Sequence, residues 1–160
     1  MHAYTLRRAT SADAGTVRDI TRAAYAKWVP VIGREPKPMT ADYDKAVADH
    51  IIDLLEEAGQ PIALIEMIPA PDHLLIENIA VLPERHNAGL GGILLDRADT
   101  IARSLGLTEL RLYTNGKFTA NIDFYARRGF EVFLREVHPS LGEAVHMKRP
   151  VRVSDRNPWP

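Results

Sequence analysis

Hydrophobic and polar positions recur with two different periods along the N-terminal third of the chain. Residues 3–8 alternate as a strand does, whereas Val17, Ile20 and Ala24 recur at helical spacing in a segment that runs to about Trp28. Ser11 is the predicted N-cap of this helix, because its side-chain oxygen can accept hydrogen bonds from the first-turn N–H groups. The loop 29–39 holds three prolines and one glycine, which predicts no regular element there.

The same patterns continue to residue 149 and predict alternating helices and strands. The predicted elements are a helix over 41–49 capped by Thr40, strands over 50–57, 61–68 and 74–81, a helix over 90–105, a strand over 109–114, a helix over 120–128, and strands over 130–137 and 144–147. Segment 50–57 also fits a continued helix, but the Ala58-Gly59-Gln60 turn favours a hairpin. The fold class is therefore mixed α/β, with one domain over residues 1–149 and a C-terminal tail over 150–160.

Composition and charge exclude several classes of function. The 160 residues carry a net charge of −1 and no cysteine, so neither a basic nucleic-acid surface nor a thiol nucleophile is expected. The sequence has no apolar run of membrane-spanning length and no signal peptide, which predicts no membrane partner and a cytoplasmic location. The six histidines are scattered without ligand spacing, so no metal site is expected.

The segment from Glu77 to Leu95 carries the strongest chemical signal. It reads as strand, turn and helix, with Gly89, Gly91 and Gly92 where the helix begins. Glycines allow a ligand to approach the backbone closely, and a helix N-terminus offers unpaired N–H groups and a positive dipole end. The segment alone therefore indicates a phosphate site, although glycine at a helix start is equally common as a simple turn.

This segment resembles the diphosphate-binding signature of the GCN5-related N-acetyltransferases, or GNAT family. The signature is Gln or Arg, two residues, Gly, any residue, then Gly or Ala. Here it reads His86-Asn87-Ala88-Gly89-Leu90-Gly91, with His86 where Gln or Arg is usual and Arg85 one residue early. A second segment, from Asn121 through Phe124-Tyr125 to Gly129-Phe130, resembles the motif that closes the family's domain.

The resemblance implies a fold, a cofactor and the residues that hold it. The fold would be a central, mostly antiparallel sheet of six or seven strands with about four helices. Its fourth and fifth strands would be parallel and separate at one end. Acetyl-CoA would be the co-substrate, with no metal. Its binding residues would be the backbone of Ile79, Ala80 and Val81, the turn and helix start from Asn87 through Ala88, Gly89, Leu90 and Gly91 to Gly92, and Asn121.

The catalytic roles that the resemblance implies suit two residues. An ammonium substrate must lose a proton before it can attack a thioester, and the leaving thiolate benefits from a nearby acid. Glu77, the only charged residue in a strand expected to be covered on both faces, is the candidate base, and Glu66 is the alternative. Tyr125 is the candidate acid. Asn121 is alternatively an N-cap of a helix over 122–128.

The acceptor is predicted as a small-molecule or peptide amine. Tyr25, Trp28 and Arg34 are the candidate substrate-binding residues, because the first helices and their loop form the acceptor wall in the family; Met39 lies in the same loop. Asp42, Asp44 and Asp49 would suit a cationic acceptor, or are ordinary exposed acids of a helix. The family also suggests a homodimer. The alternative functions are a catalytically inactive acyl-CoA sensor on the same fold and a module that binds another phosphate.

Overall fold

The structure, a computed structural model, describes residues 3–139 and 142–153, which contain seven strands and six α-helices. The strands are β1 (Tyr4–Arg8), β2 (Ile51–Glu57), β3 (Gln60–Pro69), β4 (Leu74–Val81), β5 (Glu109–Asn115), β6 (Glu131–His138) and β7 (Gly142–Pro150). The helices are α1 (Ala14–Tyr25), α2 (Val29–Ile32), α3 (Lys37–Thr40), α4 (Tyr43–Asp49), α5 (Leu90–Ser104) and α6 (Thr119–Ala126).

The strands follow the hydrogen-bonded order β1-β2-β3-β4-β5-β7-β6. The β1–β2, β2–β3, β5–β7 and β6–β7 pairs are antiparallel, whereas β4 and β5 are parallel. The mixed, mostly antiparallel sheet predicted from the sequence is therefore confirmed. The parallel pairing joins Leu74–Ile76 to Leu110–Leu112, and β4 continues from there to Val81.

The chain divides into two compact units, and β4 and α5 each contribute to both. The first unit contains the residues up to 68 together with 77–95, and the second contains 69–76 together with the residues from 96 onward. The single domain predicted over 1–149 stays a prediction, and residues 154–160 of the predicted tail lie outside the described residues.

The first unit is built on the β2–β3 hairpin. Ala58 and Gly59 both adopt left-handed backbone angles, with φ of 51° and 78°, as a tight hairpin turn requires. One face of the hairpin packs against α1 and α4. The buried cluster there consists of Ala9, Val17, Ile20, Ala24, Tyr43, Ala46, Ile52, Leu54, Leu64 and Ala80. The helical spacing of Val17, Ile20 and Ala24 therefore predicted the buried face of α1 correctly.

The second unit has β5 and β7 at its centre. Leu110, Leu112, Val145 and Met147 are buried there, as are Ala98 and Ala102 of α5. Gly106 follows α5 with φ of 72°, the left-handed geometry expected of the residue after a helix. The helix predicted over 90–105 ends at Ser104, and Leu105, just beyond it, is 47% exposed.

Two helix caps differ from the sequence prediction. Thr10, not Ser11, caps the segment that leads into α1, and its backbone N–H donates to the Asp13 carboxylate at 2.8 Å. Asp42, not Thr40, caps α4 and accepts from the N–H of Lys45. In both segments a polar residue one or two positions away takes the N-cap position, because several neighbouring polar side chains are able to fill it.

The loop 29–39 contains two short helices, α2 and α3, that the prolines were expected to forbid. Pro30 and Pro38 each occupy an early position of these helices, where the missing N–H would have no intrahelical partner. The count of helices therefore exceeds the expected four, because two single turns form around prolines.

The buried ion pair of the second unit gives a test of its stability. Arg149 and Asp99 form two hydrogen bonds of 2.9 and 3.0 Å, with side chains 4% and 0% exposed. Asp99→Ala leaves the guanidinium buried without its partner and should lower the free energy of unfolding by about 3–5 kcal/mol.

Urea unfolding followed by circular dichroism measures this loss. Asp96→Ala is the control on the same helix, since Asp96 is 42% exposed and 4.0 Å from Arg152. It should cost no more than about 1 kcal/mol. Equal losses in the two variants would contradict the importance of the buried pair.

Candidate active site

Strand β4 presents its side chains alternately to two different environments. Leu74, Ile76, Asn78 and Ala80 are buried, whereas the residues between them, Glu77 included, are half-buried. The strand expected to be covered on both faces is therefore only partly covered on the face of Glu77. A half-buried carboxylate keeps a route to an approaching substrate.

Glu66 of β3, the alternative base, lies in the more deeply buried strand. Residues Ile62–Met67 are all buried, and Glu66 is 4% exposed. Burial raises its pKa above the usual glutamate range, and the hydrogen bond from His50 lowers it in part. Glu66 thus has the desolvated carboxylate that the sequence suggested for Glu77.

The charge of Glu77 acts on both Glu66 and Tyr43. It contributes to the raised pKa of Glu66 and, with Glu66, to the raised pKa of Tyr43, although burial is the largest cause for both groups. The charges of Glu66 and Glu77 therefore both influence Tyr43 of α4, although Glu77 alternates with Asn78 along β4 and faces the other side of the strand.

Asn78 is held by hydrogen bonds from two helices. Its side-chain oxygen accepts from the Tyr25 hydroxyl at 2.9 Å, and its amide nitrogen donates to the Thr21 hydroxyl at 3.2 Å and the Tyr43 hydroxyl at 3.5 Å. Tyr43 in turn donates to the carbonyl of Pro38 at 2.7 Å. Because every polar group in this buried network has a partner, Asn78 joins β4 to α1 and α4 at little cost in desolvation.

The candidate acceptor-binding residues lie in different surroundings, and Tyr25 belongs to the Asn78 network. Its ring is half-buried and packs against the hydrophobic cluster of the first unit, while its hydroxyl reaches Asn78. Trp28 is half-buried under the ammonium group of Lys27, which lies 5.1 Å from the ring centre. Arg34 is half-buried and donates to the carbonyl of Glu35, whereas Met39 is part of the core.

The three aspartates considered for a cationic acceptor are exposed on or beside α4. Asp42 caps the helix, and Asp49 forms an ion pair with Lys45 one turn away. Asp44 is exposed in the first turn. These positions agree with ordinary helix acids.

The glycine-rich turn after β4 has the predicted strand–turn–helix form. Asn87 and Gly89 adopt left-handed backbone angles, with φ of 65° and 78°, and α5 begins at Leu90. A Cβ atom added at Gly89 would meet no atom within 4 Å, so the backbone there faces open space. The first helical hydrogen bond that involves the turn runs from the Ile93 N–H to the Gly89 carbonyl, at 3.4 Å. The N–H groups of Leu90, Gly91 and Gly92 precede it and have no partner within the helix.

The two basic side chains next to this turn are engaged within the first unit. His86 Nε2 lies 2.9 Å from the carbonyl oxygen of Val81, which requires that Nε2 carries the hydrogen. Arg85 forms an ion pair of 2.8 Å with Glu57. Because both side chains are already bound to partners, a ligand at the turn would be held by the backbone N–H groups of the turn.

The second unit contains the candidate acid, Tyr125 of α6. Its ring packs edge-on against Phe124 and Phe130, with ring centres 5.3 and 5.7 Å apart. Burial raises its pKa to about 12, so the hydroxyl keeps its proton throughout the neutral range. Tyr125 is therefore suited to donate a proton rather than to accept one.

Asn121 lies inside α6, not at its start. The helix begins at Thr119 and Phe118 is its N-cap, so the alternative role of Asn121 as an N-cap is wrong. Its backbone N–H donates to the Phe118 carbonyl at 3.0 Å. The helix predicted over 120–128 starts one residue earlier, at Thr119, and ends at Ala126.

His50 was missed by sequence reasoning. It ends α4, and its Nδ1 lies 2.6 Å from Glu66 Oε2. The two residues are 16 positions apart in different elements, and no local spacing signals such a pair. The sequence offered one sign. His50 follows a helix, and the strand after it, β2, pairs with β3, which contains the charged Glu66.

The described residues contain neither a cluster of metal-ligating side chains nor a membrane-spanning helix. No group of three or more His, Asp and Glu side chains within residues 3–139 and 142–153 is arranged to hold a metal ion. Over the same residues, no helix has both the length and the apolar character needed to span a membrane.

The chain is similar to a known protein family and to a curated protein. The sequence model of the acetyltransferase (GNAT) family matches residues 17–130. An amino-acid acetyltransferase of Serratia proteamaculans (strain 568) is 26% identical over 143 residues, which make up 88% of this chain and 30% of the relative. The chain thus spans less than a third of the length of that relative.

Two solved acetyltransferase structures have the same fold at low sequence identity. The PaiA N-acetyltransferase of Thermoplasma acidophilum, in complex with coenzyme A, has a TM-score of 0.79 and 18% identity, covering 92% of this chain and 99% of that one. The ribosomal-protein-S18-alanine N-acetyltransferase of Escherichia coli has a TM-score of 0.75 and 20% identity, covering 99% and 100%. At these identities the likeness establishes the fold.

The raised pKa of Glu66 predicts how stability changes with pH. A carboxyl group whose pKa is higher in the folded than in the unfolded protein stabilises the fold only while it is protonated. The protein should therefore lose this contribution as the pH rises above the ordinary value of 4.5. Glu66→Gln cannot ionise, so its stability relative to the parent protein should increase from pH 4 to pH 8.

Urea unfolding at several pH values measures this difference. Glu84→Gln is the control, because Glu84 is an exposed glutamate of the turn after β4 and its charge is not desolvated. A relative stability of Glu66→Gln that stays constant or falls with pH would show that burial of Glu66 has the opposite effect.

Proposed function

Since the chain belongs to the acetyltransferase (GNAT) family, we propose that it transfers the acetyl group of acetyl-CoA directly to an amine. The observation that carries the proposal is the turn after β4. Asn87 and Gly89 form the turn with left-handed backbone angles, and the N–H groups of Leu90, Gly91 and Gly92 have no partner within the helix. Such a helix start suits a pyrophosphate, because its N–H groups and dipole favour negative charge.

The cofactor residues follow from the family resemblance and fit this geometry. The backbone from Asn87 to Gly92 would hold the pyrophosphate, and Ile79, Ala80 and Val81 would pair with the pantetheine arm. Asn121 would contact the same arm. Open space beside Gly89 fits a ligand against the backbone. The His86 side chain donates a hydrogen bond to the Val81 carbonyl and so holds the end of β4, where the arm would lie.

The chemistry requires a base for the amine and an acid for the thiolate. Acetyl-CoA supplies the thioester carbonyl that the amine attacks. Glu77, half-buried on β4, takes the proton of the ammonium group, so that the nitrogen keeps its electron pair for the attack. Tyr125 keeps its hydroxyl proton at neutral pH and donates it to the leaving sulfur. The transfer is direct, because the chain has no cysteine to carry the acetyl group.

The proposed acceptor is a small-molecule or peptide amine. Tyr25 and Trp28 are half-buried aromatic residues at the end of α1 and just after it, and Arg34 follows in the loop. We assign them to acceptor binding. The tie between Tyr25 and Asn78 supports this assignment, because it fixes one side of that wall against β4.

A pair of glycine substitutions tests the cofactor site. Gly89 and Gly106 both have positive φ, 78° and 72°, and an added Cβ meets no atom within 4 Å at either position. Alanine at each should therefore cost a similar amount of stability, about 1 kcal/mol. Only Gly89→Ala changes the proposed pyrophosphate site, and its Kd for CoA should rise by roughly tenfold or more, from loss of about 1.4 kcal/mol.

Isothermal titration measures the Kd of each variant for CoA and for acetyl-CoA. Titration with ATP shows whether the site prefers CoA over another phosphate ligand. Equal weakening by Gly106→Ala would point to a general loss of stability. If the parent protein binds neither CoA nor acetyl-CoA, the proposed function fails. Binding without release of free thiol for any amine would instead favour the acyl-CoA sensor.

Substitution of Glu77 tests the base. Glu77→Gln keeps the shape but removes the proton acceptor, so kcat/KM should fall by about 10²–10⁴-fold while the Kd for CoA is unchanged. Glu56→Gln is the control, since Glu56 is a glutamate of the same unit with a side chain 14% exposed and bound to Arg7. Thiol release monitored with an amine panel gives the rates. Full activity in Glu77→Gln together with loss in Glu66→Gln would move the role to Glu66.

A further inference from the structure

Asn78 is the polar member of the four buried residues of β4 (Leu74–Val81). Its side chain is buried with 3% exposure, and the other three, Leu74, Ile76 and Ala80, are apolar. A buried amide lowers the stability of a protein unless its donors and its acceptor have partners. Packing therefore gives no reason for an amide at this position, and the hydrogen bonds of Asn78 indicate its purpose.

The hydrogen bonds of Asn78 have fixed directions. The Thr21 hydroxyl donates to a backbone carbonyl one turn earlier in α1 at 2.8 Å, and the Tyr43 hydroxyl donates to the Pro38 carbonyl at 2.7 Å. Because a carbonyl can only accept, both hydroxyl oxygens accept from the amide nitrogen of Asn78, at 3.2 and 3.5 Å. The amide oxygen then accepts from the Tyr25 hydroxyl at 2.9 Å. Asparagine, with two N–H donors and a carbonyl oxygen, fits this set of partners, whereas an ionised aspartate has no hydrogen to donate.

The same bonds hold both ends of one segment, residues 25–38, the acceptor segment. Tyr25 begins the segment and bonds directly to Asn78, and Pro38 ends it and is connected to Asn78 through Tyr43. The two other candidate acceptor-binding residues lie between these ends. All three candidates therefore belong to a segment that one side chain of β4 holds at both ends.

A second contact, which is exposed, joins the acceptor segment to α1. Arg22 forms an ion pair of 2.8 Å with Glu35, and the two side chains are 44% and 42% exposed. Arg22 also donates to the Met39 carbonyl at 2.7 Å. An exposed ion pair contributes little to stability, because water and salt compete for both partners. The buried bonds through Asn78 therefore constrain the segment more strongly than this ion pair.

We propose that Asn78 is a positioning residue for the amine, because it holds both ends of the acceptor segment in one arrangement before the amine binds. The inference rests on the proposed function. A segment that is already ordered in the free protein loses little conformational freedom on binding, so its affinity for the amine is higher. Loosening the segment should therefore weaken binding of the amine and leave CoA, which the turn after β4 would bind, unaffected.

Tyr43→Phe tests the proposal, since it removes the bond to Pro38 and keeps the ring in the core. We expect the KM for the amine to rise roughly tenfold, while kcat and the Kd for CoA stay within about twofold of the parent protein. Ile20→Val is the matched control, because Ile20 belongs to the same buried cluster and its substitution lowers stability without removing a hydrogen bond. A KM that rises equally in both variants, or that stays at the parent value in Tyr43→Phe, would overturn the proposal.

Asn78→Asp tests the directions of the hydrogen bonds through stability alone. At neutral pH the introduced carboxylate can accept from Tyr25 but has no hydrogen for Thr21 or Tyr43, whereas the protonated group regains one donor. Because burial also favours the uncharged form, the stability of Asn78→Asp relative to the parent protein should fall as the pH rises above about 4. Asn78→Leu has no titratable group, so its relative stability in urea unfolding should not follow this trend. The same pH dependence in both variants would contradict the assigned directions.

Amide hydrogen exchange measures the order of the acceptor segment without an amine. The Gly33 N–H bonds to the Val29 carbonyl at 2.8 Å, so its exchange reports on opening of the segment. Exchange at Gly33 should be roughly tenfold faster in Tyr43→Phe than in the parent protein, and unchanged in Ile20→Val. Exchange in Tyr43→Phe at the parent rate would overturn the proposal. If the parent protein acetylates no amine, the proposed function fails, and hydrogen exchange still decides whether these bonds order the segment.

Discussion

The cost of removing polar groups from water governs the arrangement of the first unit. Asn78 and Glu66 are 3% and 4% exposed in strands that otherwise bury apolar side chains. Each therefore requires partners, and α1 and α4 supply them through Tyr25, Tyr43 and His50. These bonds hold the two helices against the strands at defined positions, so the polar groups determine where the helices lie as well as which residues meet.

The same reasoning connects the strands with the proposed chemistry. Once Asn78 is fixed by the helices, its neighbour Glu77 necessarily faces the other way along β4, where the cover is only partial. Glu66 is left with a raised pKa and a histidine partner. The strands thus leave Glu77 half-buried and bury Glu66, and this difference in environment is the reason for proposing Glu77 as the base.

The glycine-rich turn depends on backbone geometry more than on side chains. Left-handed angles at Asn87 and Gly89 redirect the chain from β4 into α5. His86 and Arg85, the residues that invite a phosphate-binding role in the sequence, turn back to Val81 and Glu57. A departure from the usual residue at position 86 therefore leaves the backbone N–H groups of the turn in place.

Local patterns in the sequence determined most elements of the fold. Period-two and helical spacing located β4 and α5 closely, and the paired motifs around Gly89 and Tyr125 indicated the family, because these signals depend on residues near in sequence. The short helices around Pro30 and Pro38 were missed, since a proline breaks a helix only beyond its first turn. The helix predicted over 90–105 ends one residue early, at Ser104.

Only the tertiary structure decided which polar residues share an environment. The pairing of His50 with Glu66 and the bond between Tyr25 and Asn78 join residues 16 and 53 positions apart. Burial of each group also depends on which helix covers which strand, so a charged residue such as Glu66 cannot be recognised as desolvated from its neighbours in the chain. The sequence by itself determined the elements, the glycine turn and the family, because these follow from local geometry. The environment of each carboxylate came from packing, because pKa depends on distance in space and on the exclusion of water.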